Sequence, residues 1–192
     1  MTFLPWPLPA HTDLRDRLLA AYETGRGYHD RRHLAEVLER LDELGLADDV
    51  EVMLAAWFHD SVYLGTEEDE ERSARLAEAE LAGVPDVDVA EVARLVRLTA
   101  THDPPAHDLR GAALCDADLA ILAASPARYE EYVAGVRADY ADVPDALFRR
   151  GRLAVLEELA ERPSLFRTAH ARAAWSPRAR ANLAREIASL RG

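Results

Sequence analysis

The apolar run Val52-Met53-Leu54-Ala55-Ala56-Trp57-Phe58 ends on the doublet His59-Asp60. A segment apolar on every side belongs in the interior. Its last two residues then set an imidazole and a carboxylate at the edge of a core. Burying such groups is costly unless each is paired or ligates an ion. The doublet is therefore either a hydrogen-bonded structural pair or part of a metal site.

Partners of the right type are present. His29 and His33 are four residues apart and share a face if both lie on one helix. His102 closes a later apolar segment, just before Asp103-Pro104-Pro105. Asp116 and Asp118 lie within the mostly apolar run Leu114 to Leu122. On a helix they point about 200° apart, so they cannot both face one buried ligand. Asp118 shares its face with Leu114, Ile121 and Leu122, and Asp116 mainly with alanines. The Leu/Ile stripe is the better core face, so Asp118 is the expected inward carboxylate and Asp116 the second choice. Histidine nitrogens and carboxylate oxygens from these positions would form a mixed nitrogen–oxygen set. It suits one divalent ion such as Mn, Co, Ni, Fe, Zn or Mg. No cysteine stands among them, which argues against a closed structural zinc site.

The elements that must position these residues are helical almost throughout, because apolar residues recur with the 3.6-residue period. Helices are expected from about Thr12 to Glu23, Tyr28 to Gly45, Asp48 to Asp60 and Thr66 to Gly83. Thr66 reads as an N-cap before an acidic first turn. Asp88 and Glu91 have capping-box spacing for a helix reaching about His102. Further helices span about Arg110–Ala124, Ser125-Pro126 onward, Pro144–Arg162 and Ser176-Pro177 onward. In the valine-rich stretch Val87–Val96, the positions Val89, Val92, Val96 and Thr99 fit a helix better than a strand. The expected fold is all-α, a single helical bundle of about eight or nine helices over residues 1–192, with a core of about 12–162 and a C-terminal helix of about 176–190.

Composition narrows the function classes. A net charge of -12 and a pI near 5.0 argue against a nucleic-acid polymer or an anionic membrane as partner. No apolar stretch approaches the roughly 20 residues of a membrane span. The segment Met1 to Pro7 lacks the basic and apolar regions of a signal peptide. The lone Cys115 excludes an internal disulfide and agrees with a cytoplasmic location. The late apolar positions Leu153, Leu156, Leu159 and Leu165-Phe166 can pack internally or form a homodimer.

The order His33, His59-Asp60, Asp118 resembles the H…HD…D signature of the HD-domain superfamily of metal-dependent phosphohydrolases. The likeness extends to a subgroup described as predicted HD-superfamily metal-dependent phosphohydrolases. It runs through Arg26-Gly27-Tyr28-His29, Trp57 to Tyr63, Glu70-Glu71-Arg72-Ser73-Ala74, Thr101-His102, Asp116 to Leu122, Arg137-Ala138-Asp139-Tyr140, Gly151-Arg152 and Asn182 to Glu186. One departure is Asp69, where the subgroup has asparagine before the glutamate of its acidic motif; it leaves open which carboxylate works there. The resemblance implies hydrolysis of a small phosphate ester, such as a nucleotide, at one divalent metal. Four protein ligands leave room on a six-coordinate ion for water and a phosphate oxygen. Glu70 or Glu71, His29 and His102 are then the candidate catalytic groups. Arg26, Arg137, Tyr140 and Arg152 are candidates for substrate binding. Two alternatives stand beside this reading. One is a dinuclear iron oxygenase on the same scaffold, with His102 and His107 supplying the second ion. The other is a non-catalytic module that binds a nucleotide or effector.

Overall fold

The computed structural model describes residues 4–23 and 25–192, so Met1–Phe3 of the N-terminal reading lie outside it. Among the described residues there are ten α-helices, one 3₁₀ turn and no strand. The helices are α1 (Thr12–Ala21), α2 (Arg31–Glu43), α3 (Val50–Phe58), α4 (Asp69–Glu80), α5 (Val89–Leu98), α6 (Leu109–Leu119), α7 (Pro126–Asp139), α8 (Asp145–Glu161), α9 (Ala169–Ala174) and α10 (Ser176–Arg191). The 3₁₀ turn, Ala120–Ala123, continues α6. Among the described residues, no helix is long and apolar enough to cross a membrane.

Side-chain caps decide where several helices begin. The Asp30 carboxylate accepts the N–H groups of Arg32 and His33 and starts α2. Asp49, Asp88, Asp108 and Ser125 do the same for α3, α5, α6 and α7. The helix of His33 therefore starts at Arg31, not at Tyr28, and His29 lies in the turn before it. Glu91 does not complete a capping box; the Asp88 N–H goes to Glu51 instead. Nor does Thr66 cap α4: that helix starts at Asp69, whose side chain serves the preceding loop.

α3 is the hub of the first core. Every residue from Val52 to Phe58 is buried, as a helix apolar all round requires. It packs against α2, α4, α5 and α6. The second core joins Tyr28 to α7, α8, α9 and α10 through Tyr132, Leu156, Phe166, Trp175 and Leu183. Leu156, Leu165 and Phe166 are buried inside this core, so these late apolar positions pack internally. α9 has no counterpart in the expected helices. It is six residues long with one buried residue, Ala171, too little for a periodic signal.

The turn carrying Tyr28 and His29 rests on α7 through two glycines. A Cβ on Gly27 would lie 2.2 Å from the Gly135 carbonyl oxygen, and one on Gly135 would lie 2.6 Å from that of Gly27. Both contacts are with backbone, which cannot swing aside. Gly135→Ala is therefore expected to destabilise the fold by about 1–3 kcal/mol through overpacking. It should also displace His29. A melting temperature equal to that of the unaltered protein would contradict the close approach.

Candidate metal centre

Three elements bring the H…HD…D residues together. His33 lies in the first turn of α2, His59-Asp60 follows α3, and Asp118 ends α6. His33 and His59 are buried, with their Nε2 atoms 3.1 Å apart. Asp60 Oδ2 lies 3.1 Å from His59 Nε2 and 3.4 Å from His33 Nε2. Asp118 Oδ1 lies 3.1 Å from His33 Nε2 and 3.7 Å from His59 Nε2. Ligands at right angles on an ion with bonds near 2.1 Å stand about 3 Å apart. The donor atoms of His33, His59 and Asp60 are spaced accordingly, and Asp118 approaches His33 from beside them.

Hydrogen bonds behind the rings aim their lone pairs inward. His59 Nδ1 lies 2.8 Å from the Ala56 carbonyl oxygen, to which it donates, leaving Nε2 unprotonated in the neutral ring. His33 Nδ1 is 2.9 Å from the Tyr28 hydroxyl, which can fix the second ring in the same tautomer. Asp60 is held by its backbone: its N–H donates to the Tyr22 hydroxyl and its carbonyl accepts from Arg26. Asp60 Oδ2 is nonetheless buried with no hydrogen-bond partner. A buried carboxylate oxygen without a hydrogen-bond partner, facing two imidazole Nε2 atoms, fits a cation.

Electrostatics agree with that fit. Burial raises the carboxyls of Asp60 and Asp118, but His59 and the other histidines outweigh it and hold both well below the usual range. Burial lowers His33, but the carboxylates of Asp118 and Asp60 more than reverse this and bring it up to about 8. His59 moves in the same direction. Without an ion, protons on the imidazoles balance the carboxylates. A proton on His33 is bound in folded and unfolded chains below about pH 6.5, so its stabilisation is complete there. It is lost as pH rises through about 8. Chelator-treated protein should lose about 2 kcal/mol between pH 6.5 and 9, or about 4–8 °C in melting temperature. Adding Mn²⁺ should reverse the slope, because the ion competes with that proton. A melting temperature indifferent to pH over this range, with or without Mn²⁺, would remove the argument.

Asp116 and Asp118 both point inward, but to different places. The expectation that one alone faces the interior is corrected, because α6 is covered on more than one side. Asp116 is fully buried and accepts the N–H groups of Arg167 and Thr168, each at 2.7 Å. It thereby anchors the start of α9. Asp118 reaches the histidines, and its Oδ2 lies 2.7 Å from His102 Nε2. His102 follows the end of α5 and has a left-handed backbone, φ 50°. Its backbone N–H closes onto Leu98, and its ring turns toward Asp118.

His29 stands beside the centre without sharing a helix with His33. Its ring stacks on Tyr63 with centroids 4.3 Å apart, and Nδ1 lies 3.3 Å from Asp139 Oδ2. Asp139 also accepts the N–H groups of Gly27 and Tyr28. Tyr28 and Asp139 are orienting residues that the candidate set omits. Both lie inside the blocks that carry the family resemblance, but no local pattern marks them as contacts of His33 and His29.

Several other candidates are committed elsewhere. Glu71 is exposed and ion-paired with Arg97 and Arg75, which hold its carboxyl at about 2. Such a group is a poor proton acceptor, and its charge is already shared by two arginines. Glu70 is half-buried; burial raises its carboxyl, and the charges of Asp60 and Asp69 add to the rise. Asp69 accepts the N–H groups of Leu64, Gly65 and Thr66 and clamps that loop. Arg26 donates to the carbonyls of His29, Asp60 and Ser61, so its role is to hold backbone. Arg137 binds the carbonyls of Tyr140 and Val143 and the Asp145 carboxylate, tying α7 to α8. Neither arginine is disposed to bind substrate. Arg152 is paired with Glu186 and lies over the Tyr132 ring. Arg152 and Tyr140 do line a cleft of about 1160 Å³ that opens beside Asp118, His29 and His102. His107 is exposed in the loop before α6.

Compared with known protein families, curated proteins and solved structures, the chain matches none of them.

Proposed function

We propose that the chain is a metal-dependent phosphohydrolase of the HD type, acting on a small phosphate ester. The observation that supports this most is the meeting of His33, His59 and Asp60, with Asp118 Oδ1 3.1 Å from His33 Nε2 at the edge of a cleft and Asp60 Oδ2 buried with no hydrogen-bond partner. One divalent ion held by these residues supplies positive charge to a phosphoryl oxygen and lowers the pKa of bound water. The chain's own groups do the rest. His29 and His102 reach into the cleft as donors to the phosphate, each oriented by a carboxylate, Asp139 or Asp118. Glu70, raised by burial beside Asp60, is the proton acceptor for the attacking water. A bond forms from the water oxygen to phosphorus. The phosphorus–oxygen bond to the leaving group breaks, releasing an alcohol and phosphate. A protonated His102 or His29 returns a proton to the departing oxygen.

The dinuclear reading needs His107 as well as His102, and His107 is exposed. Elemental analysis of purified protein is expected to show close to one metal per chain. A screen of phosphate esters with Mn²⁺, Co²⁺, Ni²⁺, Zn²⁺ and Mg²⁺ should show hydrolysis. Glu70→Gln should lower kcat by about 10²–10⁴-fold with metal content unchanged, whereas Glu71→Gln should leave kcat within about twofold. Two irons per chain would transfer the site to the oxygenase reading. Saturable binding of a nucleotide with no product from any ester would transfer it to the binding-module reading.

A further inference from the structure

We propose that the group esterified to the phosphate is a long apolar chain, seated in the cleft that runs from His29 and His102 along α8. The proposal rests on the phosphate-ester reading of the centre. Its own support comes from the walls of the cleft.

Seventeen residues long, α8 buries only Leu156 fully. Leu147 and Val155 are each 51% exposed, an unusual loss of apolar surface on a helix that lines a cavity. Phe148 and Leu159 continue that face, and Ile121 and Leu122 also line the cleft. Gly151 sits in the same wall, mid-helix, with nothing within 4 Å of where its Cβ would stand. Glycine is a poor helix former, and no neighbour crowds this position. What its missing side chain does is keep the cleft open.

Several polar groups of the cleft already have partners within the protein. Arg152 is held by Glu186, Arg162 by Glu158, and Arg167 by Asp103. The Ser164 hydroxyl donates to the Phe166 carbonyl. A nucleobase is commonly read by side-chain amides, which offer a donor and an acceptor together. The chain has no glutamine and one asparagine, Asn182. That amide donates to the carbonyls of Leu122 and Ala124 and accepts from Arg185. An apolar chain asks nothing of these groups and covers the exposed leucine and valine. Continuity with the metal centre then makes the occupant amphipathic, phosphate at one end and hydrocarbon along α8.

The test is titration calorimetry of Mn²⁺-supplemented protein with methyl-, butyl- and octylphosphonate, below the micelle concentration of the last. Affinity is expected to rise by up to about fourfold per buried methylene, reaching on the order of 100-fold from methyl to octyl. Gly151→Leu fills the groove and improves helix propensity, so the fold is retained. Val155→Asp places a charge on an exposed site. Both should reduce the octyl-to-methyl ratio at least tenfold. Equal affinities across the series would overturn the proposal. So would tighter binding of a nucleoside phosphonate that ignores both variants. A dimer in sedimentation that Val155→Asp dissolves would assign the apolar face to a second copy and overturn it too. Chain-length-dependent binding without turnover of any ester would sink the hydrolase reading while supporting the apolar cleft.

Discussion

Asp60→Ala is expected to abolish metal retention and phosphatase activity together. Asp60 Oδ2 is the one buried oxygen of the centre that has no hydrogen-bond partner, and both imidazole Nε2 atoms face it within 3.4 Å. Removing a group that orients a metal ligand typically costs 10–100-fold in affinity. Removing a charged ligand itself should cost at least about 100-fold. Metal content by mass spectrometry and hydrolysis by phosphate release should fall in parallel. The backbone groups of Asp60 still hold Tyr22 and Arg26, so helical content is expected to persist. A variant that keeps metal and turnover would show that the four residues are a structural ion-pair cluster.

Asp118→Ala and Asp116→Ala are expected to separate, although the two residues are neighbours in sequence. Asp118 faces His33 and His102, so its loss should cost at least about 100-fold in metal affinity. Asp116 faces away, and two buried N–H groups depend on it. Leaving both unpaired should cost about 2–4 kcal/mol, or about 4–16 °C in melting temperature. Its effect on metal affinity should stay within about threefold, as for sites with no shared partner. Calorimetric unfolding and metal titration on both variants make a crossed comparison. If Asp116→Ala loses metal while Asp118→Ala keeps it, the inward carboxylate has been assigned to the wrong residue.

Local chemistry was enough to show the all-helical fold. The apolar period of Val89 to Leu98, the aspartate cap at Asp88 and the proline after Ser125 act within a few residues of chain. The boundaries were less legible, because caps compete. Thr66 has the right chemistry for an N-cap, but Asp69 captures the loop's N–H groups and delays the helix by one turn. α9 stayed hidden because the carboxylate that supports its start, Asp116, lies about fifty residues earlier.

What the sequence by itself determined was the type and helical phase of the candidate groups: histidines and carboxylates at the ends of apolar segments, and two aspartates that must diverge. Side-chain type and helical geometry are local properties, so one chain suffices to read them. What only the tertiary structure decided was where each charge is spent. Glu71 goes to Arg97 on α5, Arg26 to the carbonyls that carry His29 and Asp60, and Asp116 to the N-terminus of α9. Each of these partners is distant in sequence or on another element, and a polar group is free to act in a site only when no neighbour has claimed it. The cleft along α8 is of the same kind. Its width depends on how far one helix stands from the rest of the bundle, which no single helix encodes.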